Sequence, residues 1–231
     1  MKIKLAYPKI PDTLDCPLKK CIAFEKLDGT NIHWVWNKDL GWYAFGTRRD
    51  RFDLDEQGIR SFNQAHPGLE DAVALFNKSY AHLGQYPIPH KYAPLSKSGD
   101  VTLFTEYLGD KSFAGSHQKD DPKRLVLFDV AIDDEIVPPF QFLIDYGQFE
   151  DLPDNQAGSK IEGYHLPKVV FDGTFSGQLF VDVRKNKFKL NEGVVVKGMF
   201  SGKVYMAKIK TEAYLERLKN EFKNEWKNYW E

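Results

Sequence analysis

The 231-residue sequence predicts an α+β fold. Three observations predict it. Short apolar stretches bounded by Gly, Pro, Asn and Asp recur along most of the chain, which is the pattern of strands. Only a few stretches place apolar residues at helical spacing. No internal repeat or low-complexity linker divides the chain, so one domain over residues 1–231 is the simplest expectation.

The elements follow in order. Ile22-Ala23-Phe24 reads as a buried strand that leads through Glu25 to Lys26 and an Asp28-Gly29 turn. Asn31 to Trp36 and Trp42 to Thr47 read as two strands joined by the turn Asn37-Lys38-Asp39-Leu40-Gly41. Leu69, Ala72, Val73, Phe76, Tyr80 and Leu83 fall at helical spacing and predict a helix over 68–84. Pro87, Pro89 and Pro94 then mark an exposed connection. Strands are predicted at Val101–Leu108, Leu125–Ile132, Glu192–Lys197 and Lys203–Lys210, with a short helix from Phe140 to Phe149 after the Pro138-Pro139 break. The stretch from Thr174 to Leu190 is ambiguous and leans helical. Thr211 is an N-cap for a last helix whose apolar stripe is Leu215, Leu218, Phe222, Trp226 and Tyr229.

Composition excludes several classes. The chain is 42% hydrophobic and 28% charged, as globular proteins are. No run approaches the ~20 apolar residues of a membrane span, and a secretory signal pattern is missing. Cys16 and Cys21 give neither a disulfide framework nor a metal-ligand set, so an intracellular setting, cytoplasmic or nuclear, is expected. A net charge of −1 argues against general nucleic-acid coating. Charge is nonetheless uneven. Bases crowd Arg48-Arg49-Arg51 and the stretch from Arg184 through Lys210, and acids crowd Asp120-Asp121, Asp133-Asp134-Glu135 and Asp145 to Asp154. Such runs fit either a local cationic groove or a solvated, charge-mixed surface. His33, His66, His82, His90, His117 and His165 lack ligand spacing and read as surface or ordinary polar residues, with His117 the one candidate for substrate contact.

Chemistry enters at Lys26. A lysine at the mouth of a buried strand loses hydration, which favours the free, nucleophilic amine; the alternative is a surface lysine beside an Asp-Gly hairpin turn. Strand alternation marks further polar residues. Glu106 shares a face with Phe104 and Leu108, where a carboxylate is costly unless bonded or at a wet rim. Asp129 shares a face with Leu127 and Ala131, while Phe128 points the other way with Val126 and Val130. Lys208 and Lys210 continue the face of Val204 and Met206, either running out into solvent or aiming two ammonium groups at a phosphate. Glu192-Gly193 opens a buried strand, where glycine allows close approach of a ligand or another backbone.

Taken together, these segments resemble the covalent nucleotidyltransferase family of ATP-dependent RNA and DNA ligases and mRNA-capping guanylyltransferases. Lys26-Leu27-Asp28-Gly29-Thr30-Asn31 resembles its KxDG motif I, Phe104 to Gly109 motif III, and Leu127-Phe128-Asp129-Val130 motif IIIa. Glu192 to Lys197 resembles motif IV and Lys208-Ile209-Lys210 motif V. Asparagine after KxDGT is similar to the phage RNA ligase 2 and RNA-editing ligase type. DNA ligases usually carry arginine there, and capping enzymes usually show an aspartate-led motif IV. Arg48 or Arg49 falls where RNA ligases place a substrate-contacting arginine; strand parity allows one of them on the pocket side.

The resemblance implies a nucleotidyltransferase (ATP-grasp-like ligase) domain of antiparallel sheets flanked by helices. Only the final helix follows motif V, so no appended OB or C-terminal domain is expected. It implies that Lys26 attacks the α-phosphate of ATP, forms lysyl-AMP, and passes AMP to an RNA 5′-phosphate that a 3′-hydroxyl then attacks. By the same resemblance, Lys208 and Lys210 depress the Lys26 pKa and stabilise the phosphoryl transition state. Glu106 accepts from ribose hydroxyls, and Phe128 and Val195 cover the two adenine faces. Glu25, Asp28, Gly29 and Asn31 contribute to nucleotide binding, and Glu192 joins the shell of Mg²⁺ (or Mn²⁺). RNA is the expected partner, with a repair protein as a further candidate and a monomeric state expected. The alternatives are a DNA-nick ligase, a GTP-dependent capping enzyme, or a catalytically silent RNA-binding relative.

Overall fold

The computed structural model describes residues 5–85, 99–109, 121–149 and 161–228. The predicted proline connection at Pro87, Pro89 and Pro94, together with His90, His117, Asp120, residues 150–154 and Tyr229, lies outside the described residues.

Two antiparallel sheets carry the fold. One has the order β10-β9-β1-β8, built from β1 (Lys20–Lys26), β8 (Val169–Thr174), β9 (Gly193–Phe200) and β10 (Lys203–Lys210). The other has the order β4-β3-β2-β5-β6-β7. Its strands are β2 (Thr30–Asn37), β3 (Gly41–Thr47), β4 (Phe52–Asp53), β5 (Asp100–Leu108), β6 (Arg124–Ile132) and β7 (Glu135–Ile136). The helices are α1 (Glu56–Ala65), α2 (Ala72–Ser79), α3 (Pro139–Tyr146), α4 (Gly177–Arg184) and α5 (Glu212–Phe222). Among the described residues no helix is long and apolar enough to cross a membrane. Cys16 and Cys21 are free.

Each sheet buries one face on helices. Under the six-stranded sheet, Trp34 stacks on Phe76 of α2 with ring centroids 4.0 Å apart, and Phe62 of α1 and Phe142 of α3 complete the same core. Under the four-stranded sheet, Leu179 and Val183 of α4 pack on Val194, Val196, Ala207 and Ile209. The other faces meet at an apolar seam of Tyr7, Phe104, Ala131, Val195 and Met206. Alternation within each strand divides the side chains between these layers.

The Asp28-Gly29 turn is not a hairpin. β1 pairs with β8 and β9, whereas β2 pairs with β3 and β5, so Leu27-Asp28-Gly29 carries the chain from one sheet to the other. Gly29 is required there, because a Cβ would sit 2.3 Å from the Tyr107 carbonyl oxygen.

Several expectations need correction. The predicted helix over 68–84 is α2 followed by a 3₁₀ turn, Ala81–Gln85, and Leu69 precedes it. The predicted helix over 140–149 is α3 plus the 3₁₀ turn Gly147–Phe149. Of 174–190, only Gly177–Arg184 is α-helical. Helix α1 was not predicted because only Ile59 and Phe62 mark its apolar face; its signal was the Asp55 N-cap, which accepts from the Gly58 N–H at 2.7 Å. Strand β8, half-exposed and lacking alternation, was missed as well.

Candidate active site

A cleft of about 240 Å³ opens between the sheets beside the apolar seam. Glu25, Lys26, Gly29, Asn31, Arg48, Glu106, Phe128, Val195 and Lys208 line it. Asp28, Arg49, Glu192 and Lys210 do not, and each has a definite place nearby.

Register builds the charged end of the cleft. Lys26 and Lys210 both lie opposite Gly193 on the central strand β9, and Phe24 and Lys208 both lie opposite Val195. Gly193 permits this approach, since a Cβ would come within 2.0 Å of the Ile209 carbonyl oxygen. The close partner is therefore another backbone. Glu192, 2% exposed, then places Oε1 2.8 Å from Lys26 Nζ and 3.3 Å from Lys210 Nζ. The two lysines of β10 do not run out into solvent: Lys208 is 8% and Lys210 5% exposed.

These contacts decide the charge states, and they overturn one expectation. Burial, the largest influence on Lys26, pulls its pKa down, but Glu192, Glu106 and Asp28 together hold it above the ordinary lysine value. Lys26 is thus held as an ammonium ion, and its pKa is not depressed by Lys208 and Lys210. Those two are the depressed ones. Burial, then repulsion from Lys210 and Lys26, brings Lys208 to about 8, and burial lowers Lys210 against the pull of Glu192. Burial also raises Glu106 to about 7, with Lys26 opposing and Glu192 reinforcing. Glu106 Oε1 accepts from the Gly29 N–H at 3.0 Å.

Asp28 is buried beneath the site and accepts from the Tyr214 hydroxyl of α5 at 3.1 Å. The ring of Tyr214 in turn lies 4.8 Å from Lys210 Nζ. The last helix therefore touches motif-I and motif-V side chains together, which its apolar stripe alone did not reveal.

The aromatic wall depends on a bulge. In the β5–β6 pairing Asp129 faces Phe104 and Leu127 faces Thr105, which leaves Phe128 as an extra residue. The bulge shifts parity, so the predicted face-sharing fails. Val130 joins Leu127 in the helix-side core, while Ala131 joins Phe128 on the cleft side. Asp129 is not a ligand-facing acid. Its Oδ1 pairs with Lys197 Nζ at 2.7 Å, and its Oδ2 accepts from the Tyr7 hydroxyl. Lys197 also donates to the Phe128 carbonyl at 2.7 Å, tying down the bulge. Tyr7 meets the Phe128 ring edge-on at 5.1 Å. Neither Tyr7 nor Lys197 was assigned a role from sequence; a lysine closing the buried run Val194–Val196 was the available signal.

The arginines also differ from expectation. β3 ends at Thr47, so strand parity does not govern Arg48 and Arg49. Asp50 shapes their turn by accepting from the Thr47 N–H and hydroxyl at 2.9 and 2.7 Å, and His66 contacts its other oxygen at 2.7 Å. Both arginines line a groove outside the six-stranded sheet, and Arg48 also reaches the cleft. His33 is not at the surface: it is 3% exposed, and burial brings its pKa down to about 4.

Two buried polar atoms in the cleft wall, Asn31 Oδ1 and Arg48 Nη2, have no hydrogen-bond partner among the described residues. Orphaned groups of this kind fit a polar ligand. No set of three or more His, Cys, Asp or Glu side chains among the described residues is grouped to hold a metal ion.

The fold is shared with solved RNA ligases. The Naegleria gruberi RNA ligase, in an apo mutant form, matches with a TM-score of 0.62 at 16% identity over 95% of this chain and 59% of that chain. A mutant of it with ATP and Mn matches with a TM-score of 0.57 at 17% identity, over 94% and 59%. The form with pyrophosphate matches with a TM-score of 0.58 at 15% identity, over 95% and 60%. The chain thus spans about 59% of the length of the structures it resembles. No curated protein matches the sequence. The RNA ligase family model matches residues 19–210, and the chain belongs to the RNA ligase family.

Proposed function

We propose that this chain is the adenylylating domain of an ATP-dependent RNA ligase, with Lys26 as the nucleophile. One observation carries the reading. Lys26 Nζ lies at the junction of the sheets, 2.8 Å from Glu192, in a cleft walled by Lys208, Glu106 and Phe128 and holding two orphaned polar atoms. Similar Naegleria gruberi structures carry AMP and Mn or ATP and Mn, which supports ATP and a divalent metal.

In this mechanism Phe128 and Val195 flank the adenine, and Glu106 and Asn31 bond the ribose. Lys208 draws the α-phosphate toward Lys26. The Lys26 nitrogen forms a bond to the α-phosphorus, the bond to the bridging oxygen breaks, and pyrophosphate leaves with that electron pair. The ammonium form of Lys26 first gives a proton to water. Glu192 is the carboxylate that would hold Mg²⁺ or Mn²⁺, with the remaining ligands drawn from water and phosphate oxygens. When bound, the metal supplies positive charge that stabilises the phosphates and loosens the hold of Glu192 on the Lys26 proton. AMP then passes to an RNA 5′-phosphate, with Arg48 and Arg49 contacting the strand.

The test is covalent labelling. Incubation with α-labelled ATP and Mg²⁺ is expected to mark the protein with AMP, and Lys26→Ala to abolish the mark. Retained label in that variant removes Lys26 from the role. Stronger labelling by GTP, or sealing of nicked DNA alone, contradicts the assignment to RNA and ATP.

A further inference from the structure

The turn after β3 carries Arg48, Arg49 and Arg51, and two histidines hold it. Its first residue, Thr47, has every polar group engaged. Asp50 Oδ1 accepts from the Thr47 N–H and hydroxyl at 2.9 and 2.7 Å, and the Thr47 carbonyl lies 3.0 Å from His33 Nδ1. Burial brings His33 down to about 4, so its ring is neutral near pH 7 and Nδ1–H donates to that carbonyl. Burial pushes the Asp50 carboxyl up, but the bonds from Thr47 and His66 outweigh it and hold the group below its ordinary value. An ionised carboxylate only accepts, so His66 Nε2–H is the donor in the 2.7 Å contact with Asp50 Oδ2. His66 is itself fixed. It is the C-cap of α1, and its ring centroid lies 4.9 Å from that of Phe62 and 6.1 Å from that of Phe52.

Different anchors hold the arginines. Arg48 is tied to the segment before β1: its carbonyl accepts from the Ala6 N–H at 3.0 Å, and its Nε donates to the Tyr7 carbonyl at 3.1 Å. Arg49 is tied to the histidine side, because its N–H meets the Thr47 hydroxyl, which Asp50 holds, at 3.4 Å. Its side chain is exposed. Arg51 donates to the Tyr43 hydroxyl at 2.9 Å. All three line the groove of about 910 Å³ outside the six-stranded sheet, and of the three only Arg48 also lines the cleft. The far end of this groove is acidic. Asp100 lies opposite Asn37 and its carbonyl accepts from the Asp133 N–H at 3.1 Å, whereas Thr47 lies opposite Ile32 at the other end of β2. The run from Ile32 to Asn37 separates the two ends by roughly 17 Å. Asp100, Asp133 and Asp134 repel phosphates, which confines an anionic strand to the arginine end beside the cleft.

We propose that His66, acting through Asp50 and Thr47, is a positioning residue for RNA: it presents Arg49 to a phosphate of the strand in the groove without setting Arg48, which the segment before β1 holds. The inference deepens the ligase reading and rests on it. An exposed arginine on an unsupported turn gives up backbone and side-chain freedom when it meets a phosphate. Here the turn is fixed beforehand, so that cost falls and the contact strengthens. His66 touches neither substrate nor nucleotide in this scheme. It fixes the carboxylate that fixes the turn.

The experiment replaces His66 and follows RNA and ATP separately. His66→Phe keeps an aromatic ring against Phe52 and Phe62 but removes the donor to Asp50. Affinity for a 5′-phosphorylated RNA oligonucleotide is expected to fall roughly fivefold, and the log–log salt slope of binding to drop by about 0.7, the share of one single-strand phosphate contact. AMP transfer from ATP, which needs no RNA, is expected to be unchanged. His66→Gln, whose amide can donate to Asp50, is expected to restore most of the affinity. In an Arg49→Ala background His66→Phe is expected to cost no further affinity, because the contact it positions is already gone. If thermal unfolding shows His66→Phe destabilised, Thr47→Val carries the same cycle, since it removes the hydroxyl that Arg49 meets. An equal loss in both backgrounds, an unchanged salt slope, or AMP transfer falling as far as RNA affinity overturns the proposal. The same His66 effect on RNA in a protein that never takes AMP sustains the positioning role and refutes the ligase reading instead.

Discussion

Lys197 offers the sharpest test of how the cleft is held. Its ammonium group and the Asp129 carboxylate are 3% and 2% exposed and 2.7 Å apart. At that distance the Coulomb attraction is about 6 kcal/mol for an effective dielectric constant near 20. Desolvating the two ions costs several kcal/mol each, so the pair contributes little net stability, yet removal of one partner is expensive. Lys197→Met leaves a buried carboxylate that still accepts from the Tyr7 hydroxyl but has lost its ammonium partner. The expected loss is about 3–5 kcal/mol. With a urea m-value of about 2 kcal/mol per molar, that moves the unfolding midpoint down by roughly 1.5–2.5 M. Adding Asp129→Leu is expected to recover most of the loss, less about 1–3 kcal/mol if the Tyr7 hydroxyl finds no acceptor; Met206 Sδ, 3.1 Å away, is an alternative acceptor. A midpoint shift below 0.5 M in the single variant, or a double variant no better than the single, would refute the reasoning.

Three further outcomes are expected. Glu106, pushed up to about 7, keeps a proton in the folded protein that the unfolded chain releases near 4.3, so its stabilising contribution is full below about pH 4.3 and is lost as pH rises through about 7. Glu106→Gln should therefore gain about 3 kcal/mol relative to the parent between about pH 4 and pH 8 in urea unfolding, and a constant difference would contradict the shift. Tyr214→Phe keeps the ring beside Lys210 but removes the donor to Asp28; a loss of about 1.5–3 kcal/mol is expected, and no change in thermal unfolding would mean that the bond contributes nothing. Gly193→Ala forces a methyl against the Ile209 carbonyl, and the overpacking is expected to cost about 1–3 kcal/mol and to slow AMP transfer by displacing Glu192 from Lys26; a variant of unaltered stability would show that β9 and β10 separate freely.

Much of the local structure was legible because strands declare themselves by short apolar runs. β2, β3, β5, β6 and β10 lie where turn residues and alternation put them. Helix α1 and strand β8 were not legible, since one carries two apolar side chains on its inner face and the other is half-exposed. The candidate site was legible as a set of residue types, a lysine before Asp-Gly, acids in greasy strands and a lysine pair at a strand end. It was not legible as an arrangement. Asp129 looked like Glu106 in sequence, and only one of the two faces the cleft.

What the sequence alone determined is which side chains carry charge and which strands are buried, because both follow from residue chemistry and from a two-residue period. Tertiary structure decided the rest. The passage of Leu27-Asp28-Gly29 between sheets, the bulge at Phe128, and the meeting of Lys26, Glu192 and Lys210 around Gly193 each join residues far apart in the chain. Pairing register, which no local pattern encodes, sets those distances, and through them the ammonium state of Lys26.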